Sequence, residues 1–319
     1  MNDVLLTLAG MNLTIYGAGA ALAMLVLFVF TAVFCRCRKI SFGAVLRFAV
    51  LALPLCFVLS RLVFVLANLS YYCVTLSNPS LMLRFWDGGF SATGALAGVL
   101  LSAFLAEKWT RQPHGALLDA ALWATLPALM VERLFESFTS LGLGRTISYD
   151  WLNFLGVDDG WGDLVHPVFR YEIAAALIIF LAVTVWLRLR RAPLRRGDVS
   201  LVILALLGST QTVLESLRAD GHMIIFHFIR VQQILFLTCA VVVLIILTCR
   251  LARAGGIKKS QHLLLWLVVA ACIGMGIFME FRVDRGPNKL LYYSVLSLCV
   301  GLIAALALIF RRKAEKLTA

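Results

Sequence analysis

Nine runs of about 20 apolar residues, each closed by charges or turn residues, constrain this chain more than any other feature. They fall near residues 13–34, 43–68, 91–107, 117–137, 167–187, 199–217, 227–249, 263–281 and 290–310. A run of that length is what a helix needs to cross the hydrocarbon of a bilayer. A backbone in lipid must also satisfy its own hydrogen bonds, which a helix does internally. The expected fold class is therefore all-α, a polytopic membrane protein. Composition agrees. The 319 residues are 61% hydrophobic and 14% charged, against about a quarter charged for a soluble domain.

The net charge of +12 could point to nucleic acid, but its distribution argues against that partner. Cations cluster in alternate connections: Arg36, Arg38 and Lys39; Lys108 and Arg111; residues 188–196; residues 250–259; and Arg311, Arg312 and Lys313. Under the positive-inside rule this alternation predicts an amino terminus outside and a carboxyl terminus in the cytoplasm. Arg282, Arg285 and Lys289 are the main exception. The first apolar run lacks a basic leader and a small-residue cleavage site, so a retained span is expected. The eight cysteines are scattered without metal-ligand spacing, and neither a metal site nor a cofactor is expected. Cys35 and Cys37, flanking Arg36 at a cytoplasmic helix end, suit palmitoylation or read simply as small apolar filler. No internal repeat is evident, which argues against a transporter built from inverted halves.

Two connections, about 69–90 and 138–166, are long enough for a small external head. The second is rich in Gly and Asp, so irregular structure or short surface helices are expected there. Ionisable residues within or beside the spans carry more information. A charge at the bilayer centre costs at least ~2.5–3.5 kcal/mol on insertion scales. Arg61, Glu132, Arg133, Glu136, His166, Glu172, Glu215 and Arg218 are therefore expected to face a protein-lined or wet interior or, near a helix end, to snorkel to an interface; as a set they point to a polar cavity opening outward. Arg133 and Glu136 lie three apart on one helical face. Gln211, Glu215 and Arg218 follow the helical spacing i, i+4, i+7, with Glu215 and Arg218 a candidate ion pair. His166-Pro167 opens the fifth span, with Tyr171 and Glu172 a turn later.

Five blocks in order resemble the prolipoprotein diacylglyceryl transferase family. They are Ile15-Tyr16-Gly17; Ser60-Arg61-Leu62; the stretch from Leu83 through Arg84-Phe85-Trp86-Asp87-Gly88-Gly89-Phe90 to Ser91; the stretch from His166 to Glu172; and Glu215 through Asp220. Arg133 with Gly144-Arg145 keeps the spacing of the family's signature segment, and Val231 to Leu235 resembles the start of its seventh span. The resemblance covers about residues 12–250. It implies a seven-helix membrane core with an external head, here residues 1–255, followed by two additional transmembrane helices and a basic tail in 256–319.

The resemblance also implies a reaction. Family members move the diacylglyceryl group of phosphatidylglycerol, an anionic phospholipid, to the lipobox cysteine thiol of a preprolipoprotein in the bacterial cytoplasmic (inner) membrane. Glycerol phosphate leaves. Such chemistry needs a proton acceptor for a thiol of pKa ~8.5 and preorganised cations around the departing phosphate. By this resemblance the phospholipid-binding candidates are Arg133, Arg61, Gly144 and Glu136. The catalytic candidates are Glu215, Tyr16 and His166. The resemblance also marks departures. Thr93 stands where the family carries a histidine, Gln211 where it carries an arginine, and Glu136 where it carries an asparagine. A second expectation follows, a non-catalytic descendant that binds lipid or a lipoprotein precursor.

Overall fold

The computed structural model describes residues 4–8, 11–190, 194–221, 223–225 and 228–318; residues 191–193 of the basic connection lie outside them. A short antiparallel hairpin, β1 (Val4–Leu8) and β2 (Met11–Thr14), leads into α1 (Ile15–Cys37). Then follow α2 (Phe42–Ala67), α3 (Ala92–Thr110), α4 (Ala116–Glu136), α5 (Val168–Leu189), α6 (Asp198–Ser216), α7 (Val231–Arg253), α8 (Lys259–Arg285) and α9 (Lys289–Thr318). Each overlaps one of the nine apolar runs. The chain is a multi-pass helical membrane protein.

Among the described residues, seven of these helices are long and apolar enough to cross a bilayer; α3 and α4 fall below that threshold. Both carry charge within the helix: Glu107 and Lys108 in α3, and Asp119, Glu132, Arg133 and Glu136 in α4. Protein covers them instead of lipid. In α4, Leu117, Ala120, Ala121, Leu122, Ala124 and Leu126 are all fully buried. The helix α4 packs on α1, α3 and α5, and α3 lies along α2. The α2–α3 contact is close enough that a Cβ on Gly94 would strike the Leu59 carbonyl and Ser60.

Two buried carboxylates fix the helix starts in this region. Glu107 accepts hydrogen bonds from the backbone amides of Gly115, Leu117 and Leu118 (2.9, 2.8 and 3.0 Å), covering the exposed donors at the start of α4. Asp119 does the same for α6, accepting from the Gly197 and Ser200 amides (both 2.8 Å) and from Ser200 Oγ (2.7 Å).

The chain divides into two compact units, Met1–Ser200 with Leu217–Met223, and Leu201–Ser216 with Ile224–Ala319. In the first unit the connection after α2 is a series of short turns, Tyr71–Thr75, Pro79–Leu83 and Phe85–Asp87. The connection after α4 contains a small antiparallel sheet of β3 (Leu143–Thr146), β4 (Val157–Asp158) and β5 (Leu164–Pro167), in the order β3-β5-β4. The expected short helices are present as the 3-10 turns Ser140–Gly142 and Asp150–Leu155, and the sheet beside them was not expected. Strands of two to four residues are too short to leave a periodic signal. Trp86, Trp151, Phe154 and Trp161 are exposed on these segments, as aromatics at a membrane interface are.

The second unit holds α7, α8, α9 and most of α6, preceded at α7 by the two-residue strands β6 (Ile224–Ile225) and β7 (Ile229–Arg230). Its core is formed by Ala205, Ala240, Leu244, Leu247, Val269 and Ile303. Ser216 Oγ lies 2.8 Å from both carboxylate oxygens of Glu280 on α8, and the Tyr293 hydroxyl of α9 donates to the Ser216 carbonyl at 3.4 Å. The last two helices therefore grip the final residue of α6.

Candidate functional site

The end of α4 and the start of α5 bring together a buried group of charges in the first unit. Arg133 Nη1 donates to Glu136 Oε2 at 2.6 Å, and its Nε is 2.9 Å from Glu172 Oε2. Arg218 approaches the same carboxylates. Its Nη1 and Nη2 reach Glu136 Oε1 and Oε2 at 2.9 and 3.0 Å, and Nη2 reaches Glu172 Oε2 at 2.8 Å. All four side chains are at most 5% exposed. Two guanidinium groups and two carboxylates balance, which is how buried charge becomes tolerable. Arg133 Nη2 makes no hydrogen bond to a described residue.

Beside this quartet stand two more carboxylates, Asp220, 3.9 Å from Arg218 Nη1, and Glu132. Glu132 accepts a hydrogen bond from the Tyr16 hydroxyl of α1 at 3.1 Å and lies 3.8 Å from Arg133 Nη1. Its side chain is 22% exposed, unlike Glu136 and Glu172. The cost of charge in a bilayer marked Glu132, Glu172 and Arg218 as needing a polar interior, but gave Glu132 and Glu172 no role and paired Arg218 with Glu215. The adjacency of Glu132 to Arg133, and its i, i+4 relation to Glu136, are the local signals. Tyr16 is 116 positions away, so its partnership has no local signature.

Arg218 does not extend a helical stripe from Gln211 and Glu215, because α6 ends at Ser216. Beyond that end Arg218 bridges to Gly144 in extended conformation, and helical spacing no longer governs it. Gly144 is needed there for room. A Cβ would lie 2.6–2.8 Å from Val168 Cγ2, the Leu217 carbonyl and the His166 carbonyl. His166 sits on β5, half-buried, with Nδ1 3.2 Å from the Tyr171 hydroxyl. The adjoining Pro167 caps α5, which begins one residue later than the sequence suggests.

Arg61 is engaged in another way. Its guanidinium donates to five backbone carbonyls, those of Leu81, Met82, Arg84, Gly88 and Gly89. Its five N–H donors match that number, so it staples the turn segment after α2. Thr93, at the family's histidine position, is buried with Oγ1 2.8 Å from Ser91 Oγ. Ser91 in turn caps α3 at the Gly94 amide (3.3 Å) and is tied to Ser60.

In the second unit Glu215 is fully buried, and its Oε2 receives Arg230 Nε at 3.0 Å. Arg230 is 15 positions away, at the start of α7, where Gln233 caps its amide at 2.9 Å. Gln211 is fully buried, and neither of its amide atoms has a hydrogen-bond partner among the described residues. No group of three or more metal-ligating side chains occurs among the described residues.

Fold and site define a polytopic membrane protein in which a buried arginine–glutamate cluster is held where an aromatic-rich head meets the helix ends. Comparison with known proteins makes that class specific. The chain matches the prolipoprotein diacylglyceryl transferase family over residues 3–249, and it belongs to that family. Its relatives include proteins named phosphatidylglycerol–prolipoprotein diacylglyceryl transferase. That of Clostridium novyi is 23% identical over 252 residues, 77% of this chain and 95% of the relative. That of Streptococcus mutans is 29% identical over 223 residues, 67% of this chain and 81% of the relative. That of Nostoc sp. is 29% identical over 187 residues, 56% and 64% of the two chains. The match stops before α8, so the final two helices lie outside the matched residues.

Proposed function

We propose that this protein transfers the diacylglyceryl group of phosphatidylglycerol to the cysteine thiol of lipobox-containing preprolipoproteins. In this reading it works in the bacterial cytoplasmic membrane, with its amino terminus outside and its carboxyl terminus in the cytoplasm. Family membership supports the reaction, and the alternation of basic connections supports the orientation. The carrying observation is the state of Arg133. Nη1 donates to Glu136 at 2.6 Å and Glu172 lies 2.9 Å from Nε as an ion pair whose angle does not make a hydrogen bond, while Nη2 remains without a hydrogen bond to a described residue. A guanidinium fixed this way is preorganised for a phosphate oxygen and needs no reorganisation as charge builds there. In the transfer, the sulfur forms a bond to the glyceryl carbon. The bond from that carbon to the phosphate oxygen breaks, and glycerol phosphate leaves with the electron pair.

One observation favours a second reading, a non-catalytic lipid- or lipoprotein-binding protein. Both oxygens of Glu136 are bound by Arg133 and Arg218, so the two cations are already neutralised. Thr93 offers a hydroxyl where family chemistry uses an imidazole. The two readings separate in a strain depleted of its own transferase. Expression of this chain restores growth and lipoprotein maturation if the transferase reading holds. Failure of the native chain, with rescue by the double variant Thr93→His and Gln211→Arg, would establish the binding descendant instead.

A further inference from the structure

The transfer leaves one requirement unassigned. A thiol of pKa ~8.5 is mostly protonated at neutral pH, and Thr93 cannot accept its proton. Several groups near the ends of α4 and α5 can be tested for that role. Glu136 has both oxygens bound to guanidinium nitrogens and is 4% exposed. Glu172 is fully buried, with Oε2 shared by Arg133 and Arg218. A proton on either would break a buried ion pair, which costs several kcal/mol. His166 is engaged with Tyr171, five residues on.

Glu132 differs from all three. Both guanidiniums already have Glu136 and Glu172 within 3.0 Å, so Glu132, farther off at 3.8 Å from Arg133 Nη1, can gain a proton and leave those closer ion pairs in place. One of its oxygens accepts from Tyr16, while Oε2 makes no hydrogen bond to a described residue, and the side chain is partly accessible. It also adjoins the arginine assigned to the phosphate, with Arg133 Nη1 at 3.8 Å. A peptide thiol attacking the lipid's glyceryl carbon therefore finds a proton acceptor, and the departing phosphate a cation, on consecutive residues.

We propose that Glu132 is the proton acceptor for the substrate thiol, oriented by the Tyr16 hydroxyl. This rests on the transferase reading above. As sulfur bonds to the glyceryl carbon, its proton passes to Glu132 Oε2, and the electron pair of the breaking C–O bond goes to the phosphate. The proton then leaves Glu132 for the departing phosphate or for water. Tyr16 faces Glu132 from α1. Arg133 and Glu136 face it from α4, and Glu172 and Arg218 stand behind Arg133.

The test compares wild type, Glu132→Gln and Glu132→Asp in vesicles containing phosphatidylglycerol, with a lipobox peptide as acceptor and thioether formation followed by mass. Positioned bases contribute about 10²–10⁴-fold. Glu132→Gln, which still accepts from Tyr16, is expected to lose at least ~100-fold at pH 7, within that range. The deficit should shrink as the pH rises past the thiol pKa of ~8.5, because the peptide then arrives ionised. Glu132→Asp should recover much of the rate, and thermal unfolding should show all three proteins folded alike. An active wild type with Glu132→Gln unimpaired, or impaired equally at every pH, overturns the assignment of Glu132 alone. A folded wild type that forms no thioether at any pH overturns the transferase reading and this proposal with it.

Discussion

The two ends of α4 each hold buried carboxylates, and they use them in opposite ways. At its start, Glu107 and Asp119 accept from backbone amides, and every hydrogen bond given to them comes from the start of a helix. At its finish, Glu136 meets two guanidinium groups, and Glu132 keeps an oxygen open beside a tyrosine. Burial alone therefore does not mark a reactive site. The partner separates the two: backbone donors fix architecture, while side-chain charges with an unused atom supply what the proposed transfer needs. Both patterns place charge in helices otherwise packed by apolar side chains, and together they explain why α3 and α4 are less apolar than the other seven helices.

That contrast can be broken by substitution at either end. The largest effect is expected from Arg133→Lys. It keeps the positive charge but loses the fork that meets Glu136 and Glu172 while leaving a nitrogen for phosphate. Transfer to a lipobox peptide should fall ~10²–10³-fold, the scale seen when a preorganised donor is removed. A variant retaining more than a tenth of the wild-type rate would mean that the forked geometry is not used. At the other end, Asp119→Asn puts an amide group where two backbone amides and a hydroxyl converge. It should lower stability by about 1–3 kcal/mol, the cost of leaving buried donors unsatisfied. Transfer per folded molecule should stay unchanged, as read by denaturation in detergent alongside the rate. A loss of rate without a loss of stability would erase the distinction between the two ends.

The helices were legible because each is a long apolar run, and the set of charges was legible because lipid penalises them individually. Their pairing was not. Arg218 lies beyond the end of α6, so a helical spacing carried through Ser216 assigns it to the wrong face. Glu215 finds Arg230 across a turn, and Tyr16 finds Glu132 from another helix; neither contact has a period. Arg61 reads in the sequence as a second cation for the phospholipid, and nothing there signals the five carbonyls of the following segment that surround it. Backbone acceptors are invisible to residue identity. The hold of Glu280 on Ser216 is equally silent in sequence, since α8 contributes it from 64 positions away.

The central claim is that a cluster lacking the family histidine still carries out the family reaction. Purified protein, incubated with phosphatidylglycerol vesicles and a lipobox peptide, tests it most directly by the mass of the peptide. The account predicts a diacylglyceryl mass gain that requires the peptide's cysteine and disappears when phosphatidylglycerol is replaced by a neutral lipid. A folded protein that leaves the peptide unmodified while binding the same vesicles would contradict it.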